Sequence, residues 1–150
     1  MIINWIYQGK AITDINQIPK NAIGIIYKIT NLTNNKYYYG RKTILSLRKK
    51  KLTLKEKQLP ENKRKSVKHV ITESSGWKTY KGSNKPLLND IKNGDKYIKE
   101  IIYFCTSKAE MTFYETRAIV CSDCMLTTDC YNDWFSAKVY KAHLLAHKEK

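Results

Sequence analysis

The sequence lacks long hydrophobic runs and is poor in acidic residues. Its apolar stretches are too short to cross a bilayer, and its first residues do not join a charged segment to an apolar one. We therefore expect neither a membrane span nor a secretory signal, and a protein that works inside a cell. Only 13 Asp and Glu residues oppose 28 Lys and Arg residues, which gives a formal net charge of +15. This excess predicts a polyanionic partner, and nucleic acid fits that description.

Cysteine and histidine are also scarce, with four cysteines and three histidines. Without an export signal the cysteines are expected to stay reduced. Cys121 and Cys124, together with His143 and His147, have the spacings of two zinc-finger half-motifs. The stretch between the two halves is longer than a compact finger uses. A zinc-stabilised interaction module is therefore an alternative, set against buried or idle thiols and exposed C-terminal histidines.

The 150 residues have the length of one domain with one hydrophobic core. Two β-prone runs, Ile23 to Ile29 and Lys36 to Gly40, flank a turn-rich segment and predict an antiparallel hairpin. Because side chains alternate along a strand, Tyr27 and Tyr38 can project from the same face. Gly40 ends the second strand, where a backbone can approach another group closely.

Three later segments complete the predicted fold. An early proline and a glycine just past the end predict a helix over 86–93. The β-branched and aromatic run from Tyr97 to Cys105 predicts the third main strand. Ser107 opens a Ser-x-x-Glu capping box and predicts a helix to about Val120, with Glu115 at the edge of its core-facing side. We expect an α/β (α+β) domain with a small, mainly antiparallel three-stranded sheet flanked by helices.

Residues 45–75 differ from the rest, since they are strongly basic and have too few large apolar residues for a core of their own. This composition predicts an insertion that is partly helical or disordered when unbound. A solvated loop is one interpretation, and an arm that grips phosphates is the other; its place directly after the tyrosine hairpin favours the arm. The arm's candidate contacts are Lys49, Lys50, Lys51, Lys63, Arg64 and Lys65.

The order of these features resembles the GIY-YIG nucleases, in particular phage-type members similar to homing endonucleases. The residues that carry the resemblance are Gly24-Ile25-Ile26-Tyr27, Tyr38-Tyr39-Gly40, the stretch from Trp77 to Asn84, Glu115 on its helix and a late Asn132. The resemblance covers nearly the whole chain and implies one domain over 1–150, with a lead-in at 1–20, the insertion at 45–75 and a C-terminal tail or helix at 133–150. It also implies an endonuclease that uses Mg²⁺ (or Mn²⁺) to hydrolyse DNA in the cytoplasm of a host cell.

The resemblance assigns chemical roles to single residues. Glu115 would hold the metal, and Tyr27 would act as the general base. Tyr38 would orient water or phosphate, and Asn132 would orient the site through hydrogen bonds. Further substrate contacts would come from residues beside the hairpin and before the next helix: Gly40, Lys42, Tyr80, Gly82 and Ser83.

The catalytic arginine has two candidates. Arg41 directly follows Gly40, as in the phage-type members, whereas Arg48 has the spacing of intron-encoded members. Leu52 stands where those members often have a histidine, which favours Arg41, and both candidates stay open.

A catalytically inactive nucleic-acid-binding protein on the same scaffold is the main alternative, because it would keep the charge without the chemistry. The sequence has a suitable residue at every main active-site position of the family, which favours the nuclease. Target recognition would then come from the insertion, from a homodimer or from an accessory protein.

Overall fold

The computed structural model describes residues 2–146, apart from the side chain of Leu47. Its strands are β1 (Trp5–Tyr7), β2 (Lys10–Ile12), β3 (Gly24–Asn31), β4 (Tyr37–Thr43), β5 (Leu45–Lys51), β6 (Val67–Glu73) and β7 (Tyr97–Cys105). Its helices are α1 (Leu54–Lys57), α2 (Lys85–Lys92), α3 (Lys108–Cys121) and α4 (Lys141–Leu145). Five strands form a central sheet in the order β2-β1-β7-β3-β4, and β5 pairs with β6 in a separate ribbon.

The central sheet is larger than the three strands that the sequence predicts. The expected strands are β3, β4 and β7, and the lead-in adds β1 and β2. Strand β1 pairs in parallel with β7, with Trp5 opposite Lys99, and pairs antiparallel with β2. Each added strand has three residues, which is too short to show an alternating apolar pattern in sequence. Burial of the Trp5 side chain attaches the lead-in to the core.

The predicted tyrosine hairpin is confirmed by the antiparallel pairing of β3 with β4, in which Tyr27 lies opposite Gly40. Strand β4 continues to Thr43, so the expectation that Gly40 ends it is wrong. Strand β3 lies between β4 and β7, and Ile25, Ile26 and Ile29 on it are all buried. A strand with neighbours on both edges and apolar side chains in the core is the most stable part of a small sheet. The hairpin therefore holds Tyr27 and Tyr38 in fixed positions.

The two longer helices are also confirmed. In α2 the side chain of Asn84 caps the first turn by accepting from the Leu87 N–H at 3.0 Å. In α3 Ser107 does the same for the Glu110 N–H at 3.1 Å, and Met111 is buried between the helix and the sheet. No helix in the described part of the chain is long and apolar enough to cross a membrane.

The insertion is mostly an antiparallel ribbon, so the prediction of a partly helical or disordered segment needs correction. Strands β5 and β6 pair from Leu45 opposite Glu73 to Lys51 opposite Val67, and only the four residues of α1 are α-helical. The strands went unrecognised because lysine is depleted in strands, and their charged residues hide the alternation on which strand prediction depends. Backbone pairing holds this ribbon together.

Cys124 and Cys130 form a disulfide, so the expectation that the cysteines stay reduced is wrong for this pair. Cys105 is a buried free thiol and Cys121 an exposed one. Within residues 2–146, no group of three or more His, Cys, Asp or Glu side chains is placed to hold a metal ion. One predicted zinc ligand, His147, lies outside the described residues, and another, Cys124, is bonded to sulfur instead.

Candidate active site

A cavity of about 540 Å³ opens between β4, the start of α2, the middle of α3 and residues 132–136. These segments are far apart in sequence, and the sheet and α3 bring them together. Five of the predicted site residues line the cavity: Tyr38, Arg41, Ser83, Glu115 and Asn132. The fold therefore gathers a tyrosine, a cation and a carboxylate around one opening.

Arg41 and Glu115 form an ion pair on the cavity wall, with 3.1 Å between Arg41 Nε and Glu115 Oε2. Arg41 Nη1 also donates to Thr112 Oγ1 at 2.5 Å. The Thr112 hydroxyl itself donates to the Lys108 carbonyl at 3.2 Å, which leaves its lone pairs for the arginine. Because Thr112 and Glu115 lie three residues apart on α3, they share a face and hold the guanidinium at two points.

The electrostatics of Glu115 reflect its position between the core and the cavity. Burial raises the pKa of this carboxyl, and the Arg41 guanidinium offsets part of the increase. A second carboxylate, Asp133, lines the same cavity. Mg²⁺ keeps several waters and needs only one or two carboxylates from the protein, so the donor chemistry of this wall suits a hydrated ion.

Tyr27 lies beneath the cavity and does not line it. Its side chain is 1% exposed, and its ring packs against Trp5, Tyr38 and Tyr80 at centroid distances of 5.2, 6.2 and 5.9 Å. Burial raises the pKa of Tyr27 far above its ordinary value, and the Tyr80 and Tyr38 hydroxyls add to the increase. The Tyr27 hydroxyl is consequently protonated at neutral pH. Burial also raises the pKa of Tyr38, which does reach the cavity.

Two glycines make room for these tyrosines. A Cβ atom on Gly40 would lie 3.0 Å from the Tyr38 ring and closer still to the Tyr27 hydroxyl. Gly82 has a φ of +88°, and a Cβ atom there would lie 3.3 Å from the Tyr38 ring. Both residues are buried. Because glycine has no side chain, both positions leave the space that the Tyr27 and Tyr38 side chains occupy.

Lys99 forms hydrogen bonds with the backbone of the loop that carries Tyr80. This lysine is 1% exposed, and its Nζ donates to the carbonyls of Lys78 and Tyr80 at 2.8 and 3.0 Å. It also lies 4.3 Å from the centre of the Trp5 ring. Burial lowers the pKa of Lys99 to about 8. A buried lysine with carbonyl partners is invisible in sequence, because lysines in strands are ordinarily exposed.

Asn132 ties the late part of the chain to β4. Its Nδ2 donates to the Tyr39 carbonyl and its Oδ1 accepts from the Tyr39 N–H, both at 2.9 Å. Next to it, the Tyr131 N–H donates to the Tyr37 carbonyl at 2.8 Å. The sulfurs of Cys124 and Cys130 lie 3.4 and 3.2 Å from Asn132 Oδ1. Both ends of the Asn132 side chain are thus occupied by the backbone of the hairpin.

Other predicted site residues lie outside the cavity. Arg48 is exposed on β5, so Arg41 is the arginine that lines the cavity in the described structure. Lys42 Nζ lies 4.6 Å from the centre of the Tyr80 ring, and neither residue lines the cavity. The remaining predicted contacts are exposed on the ribbon and the loop at its tip: Lys49, Lys50, Lys51, Lys63, Arg64 and Lys65.

Sequence reasoning missed Thr112, Lys85 and Trp134, which all line the cavity. Thr112 lies one turn before Glu115, so the helical period could have pointed to it. Lys85 directly follows the helix cap Asn84. Trp134 is 75% exposed in a segment without regular structure, and no sequence pattern places it near the site.

Comparison with known families identifies the class of protein. The family model described as "Putative endonuclease segE, GIY-YIG domain" matches residues 5–139, which contain the whole cavity. Comparison with curated proteins and with solved structures gives no match. The match covers most of the chain, so the protein belongs to this family of GIY-YIG endonucleases.

Proposed function

We propose that this protein is an endodeoxyribonuclease that depends on Mg²⁺ or Mn²⁺ and hydrolyses phosphodiester bonds of DNA. The observation that carries the proposal is the Arg41–Glu115 pair on the cavity wall, above the buried tyrosines. Phosphodiester hydrolysis needs a positively charged group beside the non-bridging oxygens and a water molecule positioned to attack the phosphorus. The cavity offers residues for each of these needs, and the family of endonucleases supports the reaction class.

Glu115 would hold the metal ion, and Asp133 is the other carboxylate within the cavity. A bound Mg²⁺ would supply Lewis-acid stabilisation of charge on the phosphate. The raised pKa of Glu115 means that its carboxylate is poorly solvated by water and gains from a cation.

Arg41 would bind the non-bridging oxygens of the scissile phosphate. Guanidinium groups suit phosphate because they donate from several positions in one plane. Glu115 and Thr112 hold this group before any substrate arrives, so little reorganisation is needed. The Ser83 hydroxyl and the first turn of α2, with Lys85, would add positive potential at the other side of the cavity.

Tyr38 would hold the attacking water or a phosphate oxygen, and Tyr27 would accept a proton as general base. Burial works against loss of the Tyr27 proton, so this role requires positive charge in the substrate complex to lower its pKa. In the free protein the Tyr27 ring packs against the Tyr38 ring, with 6.2 Å between their centroids, and so helps to place the Tyr38 hydroxyl.

The proposed setting is a phage or mobile-element nuclease similar to homing endonucleases, acting in the cytoplasm of the host cell. Target recognition would use the basic insertion, with a homodimer or an accessory protein as further sources of specificity. These proposals rest on the sequence resemblance and on the charge of +15.

Nicking of supercoiled plasmid in the presence of Mg²⁺ tests the function. Glu115→Gln should lower the nicking rate by orders of magnitude with DNA affinity similar or tighter, because the shape stays and the charge is lost. Asp14→Asn is a matched control, since it removes one charge from a remote helix cap and keeps the cap acceptor. Near wild-type nicking by Glu115→Gln would exclude the proposed metal site. Tight DNA binding without nicking by the wild type would establish the inactive binding protein instead.

A further inference from the structure

The β5–β6 ribbon has two chemically different faces. Since side chains alternate along a strand, Arg48 and Lys50 share one face with their cross-strand partners Val70 and Lys68. The other face, here called the open face, carries Lys49, Lys51, Val67, His69 and Ile71, with Leu45 and Glu73 at its base.

The first face is covered at the tip of the ribbon. Lys68 Nζ lies 2.6 Å from Glu56 Oε1 on α1, so its charge is already paired. Leu52, which continues this face beyond β5, is only 6% exposed. The short helix therefore folds over this side of the ribbon.

The open face has no such cover in the described structure. Lys49, Lys51 and His69 are exposed, and Ile71 is 69% exposed. Neither lysine forms a salt bridge within residues 2–146, and the same holds for Arg48 and Lys50, so the faces differ in the cover by α1 and in the exposure of Ile71. The carboxylate at the base of the ribbon, Glu73, accepts from Trp77 Nε1 at 2.6 Å. The open face thus combines unneutralised cations with the methyl groups of an exposed isoleucine and a half-buried valine.

Both strands of the ribbon are attached firmly to the central sheet. Ile44 is fully buried, and its N–H and that of Leu45 donate to the Ile23 carbonyl at 2.8 and 2.9 Å. On the returning strand the Ser74 N–H donates to the Ile44 carbonyl at 2.6 Å. The ribbon extends roughly 20 Å from these attachments, at about 3.4 Å a residue. It is a projecting arm whose base is fixed to the sheet that carries Arg41.

We propose that the open face of the ribbon lies in the major groove of duplex DNA. This inference rests on the proposed function, and it specifies duplex DNA as the substrate. The major groove, about 12 Å wide, admits a two-stranded ribbon, whereas the minor groove, about 6 Å wide, is too narrow. Lys49 and Lys51 reach the phosphates that border the groove, and the methyl groups of Val67 and Ile71 suit the thymine methyl groups on its floor.

The composition of the ribbon separates duplex from single-stranded DNA. Proteins that bind single strands stack bases on aromatic side chains, each base contributing about 1–3 kcal/mol. Neither β5 nor β6 contains a phenylalanine, tyrosine or tryptophan. His69 is the one ring on the open face that could stack a base, so charge and methyl groups dominate this face, as suits the groove of a duplex.

Two double variants of β5 test the face. DNA affinity is measured by fluorescence anisotropy over a range of salt concentrations, with a short duplex and no divalent metal. Lys49→Gln/Lys51→Gln should flatten the dependence of log affinity on log salt by about 1.8, or about 0.9 for each phosphate that the protein no longer neutralises. Arg48→Gln/Lys50→Gln removes the same charge from the same strand on the opposite face and should flatten it by less than half as much. Equal effects of the two pairs would overturn the proposal, because Arg48 and Lys50 face away from the groove in it.

Modified duplexes test the groove. Bulky C5 substituents on the pyrimidines should weaken wild-type binding by about tenfold and should add little to Lys49→Gln/Lys51→Gln, while a minor-groove ligand should leave binding unchanged. Competition by the minor-groove ligand, or equal affinity for single-stranded DNA, would overturn the proposal. Because binding is measured without metal, its outcome is separate from that of the nicking assay. Nicking with unaltered binding of the variants would refute the groove interaction alone, and groove binding without nicking would refute the nuclease alone.

Discussion

The central sheet and the β5–β6 ribbon meet at Ile44 and differ in what holds them together. Strand β3 has a paired neighbour on each edge and places three isoleucines in the core, whereas Arg48 to Lys51 on β5 are all exposed. The sheet is stabilised by apolar burial, so it holds buried tyrosines and an ion pair in fixed positions. The ribbon is stabilised mainly by backbone pairing, so its side chains remain available to a partner. We therefore expect changes in the sheet to alter turnover or folding, and changes in the ribbon to alter affinity.

The two arginines give the largest expected contrast between the regions. Arg41→Ala should lower the single-turnover cleavage rate by about 10²–10³-fold with DNA affinity little changed, because a preorganised donor acts on transition-state charge. Arg48→Ala, a matched change on the ribbon, should leave that rate near the wild-type value at saturating protein. Single-turnover rates and binding constants of both variants separate the effects. The reverse pattern would assign catalysis to Arg48.

Gly40→Ala should test how tightly the sheet is packed. The added methyl group collides with the Tyr27 hydroxyl and the Tyr38 ring, so the free energy of unfolding should fall by about 1–3 kcal/mol. Lys50→Ala on the ribbon should change it by no more than about 0.5 kcal/mol, since this side chain is exposed. Urea denaturation of both variants measures the difference. Equal stabilities would mean that the tyrosine pair adjusts freely to the extra atom.

Thr112→Val should lower turnover by about tenfold, because Arg41 loses one of its two points of support. Thr112→Ser keeps the hydroxyl and should restore most of the rate. If the threonine acts only through packing, the isosteric valine would retain activity and the serine would lose it. Cleavage rates of the pair, with binding constants as the second measurement, decide between these outcomes.

The smallest expected effect concerns pH and Lys99. The pKa of Lys99 is about 8 in the folded protein and about 10.4 for a lysine in an unfolded chain. Between these values the unfolded state binds more protons, so this residue makes the free energy of unfolding rise with pH, by at most about 1.4 kcal/mol per unit. Lys99→Met should remove that rise. Denaturation between pH 8 and about 9.5, below the ordinary pKa of tyrosine, measures it; an identical slope in the variant would contradict the expectation.

The same contrast explains which parts of the fold could be predicted. The β3–β4 hairpin and α3 follow from apolar runs and a capping box, because burial and capping require particular residue types at fixed spacings. Strands β1 and β2 are too short to show such a pattern. Strands β5 and β6 bury too little apolar surface to require one. A three-residue strand and a solvated ribbon acquire their shape from pairing partners that are distant in sequence.

The candidate site also contains residues that could be predicted from the sequence and residues that could not. The family resemblance pointed to Tyr38, Arg41, Glu115 and Asn132 as site residues, and all four line one cavity, although their chemical roles remain proposals. The supports of the site could not be predicted, since the Thr112 hydroxyl and the Lys99 ammonium act through hydrogen bonds that only the folded chain creates. Such residues have no characteristic sequence neighbours.

The attachment of residues 129–132 to β4 has a further consequence for the behaviour of the protein at high concentration. Strand β4 is an edge strand, and an unpaired edge is a template on which strands of other molecules can add. Tyr37 and Tyr39 instead direct their backbone groups to Asp129, Tyr131 and Asn132 of the same chain. The asparagine side chain occupies the donor and acceptor that a foreign strand would need. The segment that completes the cavity wall thus also protects the sheet against aggregation.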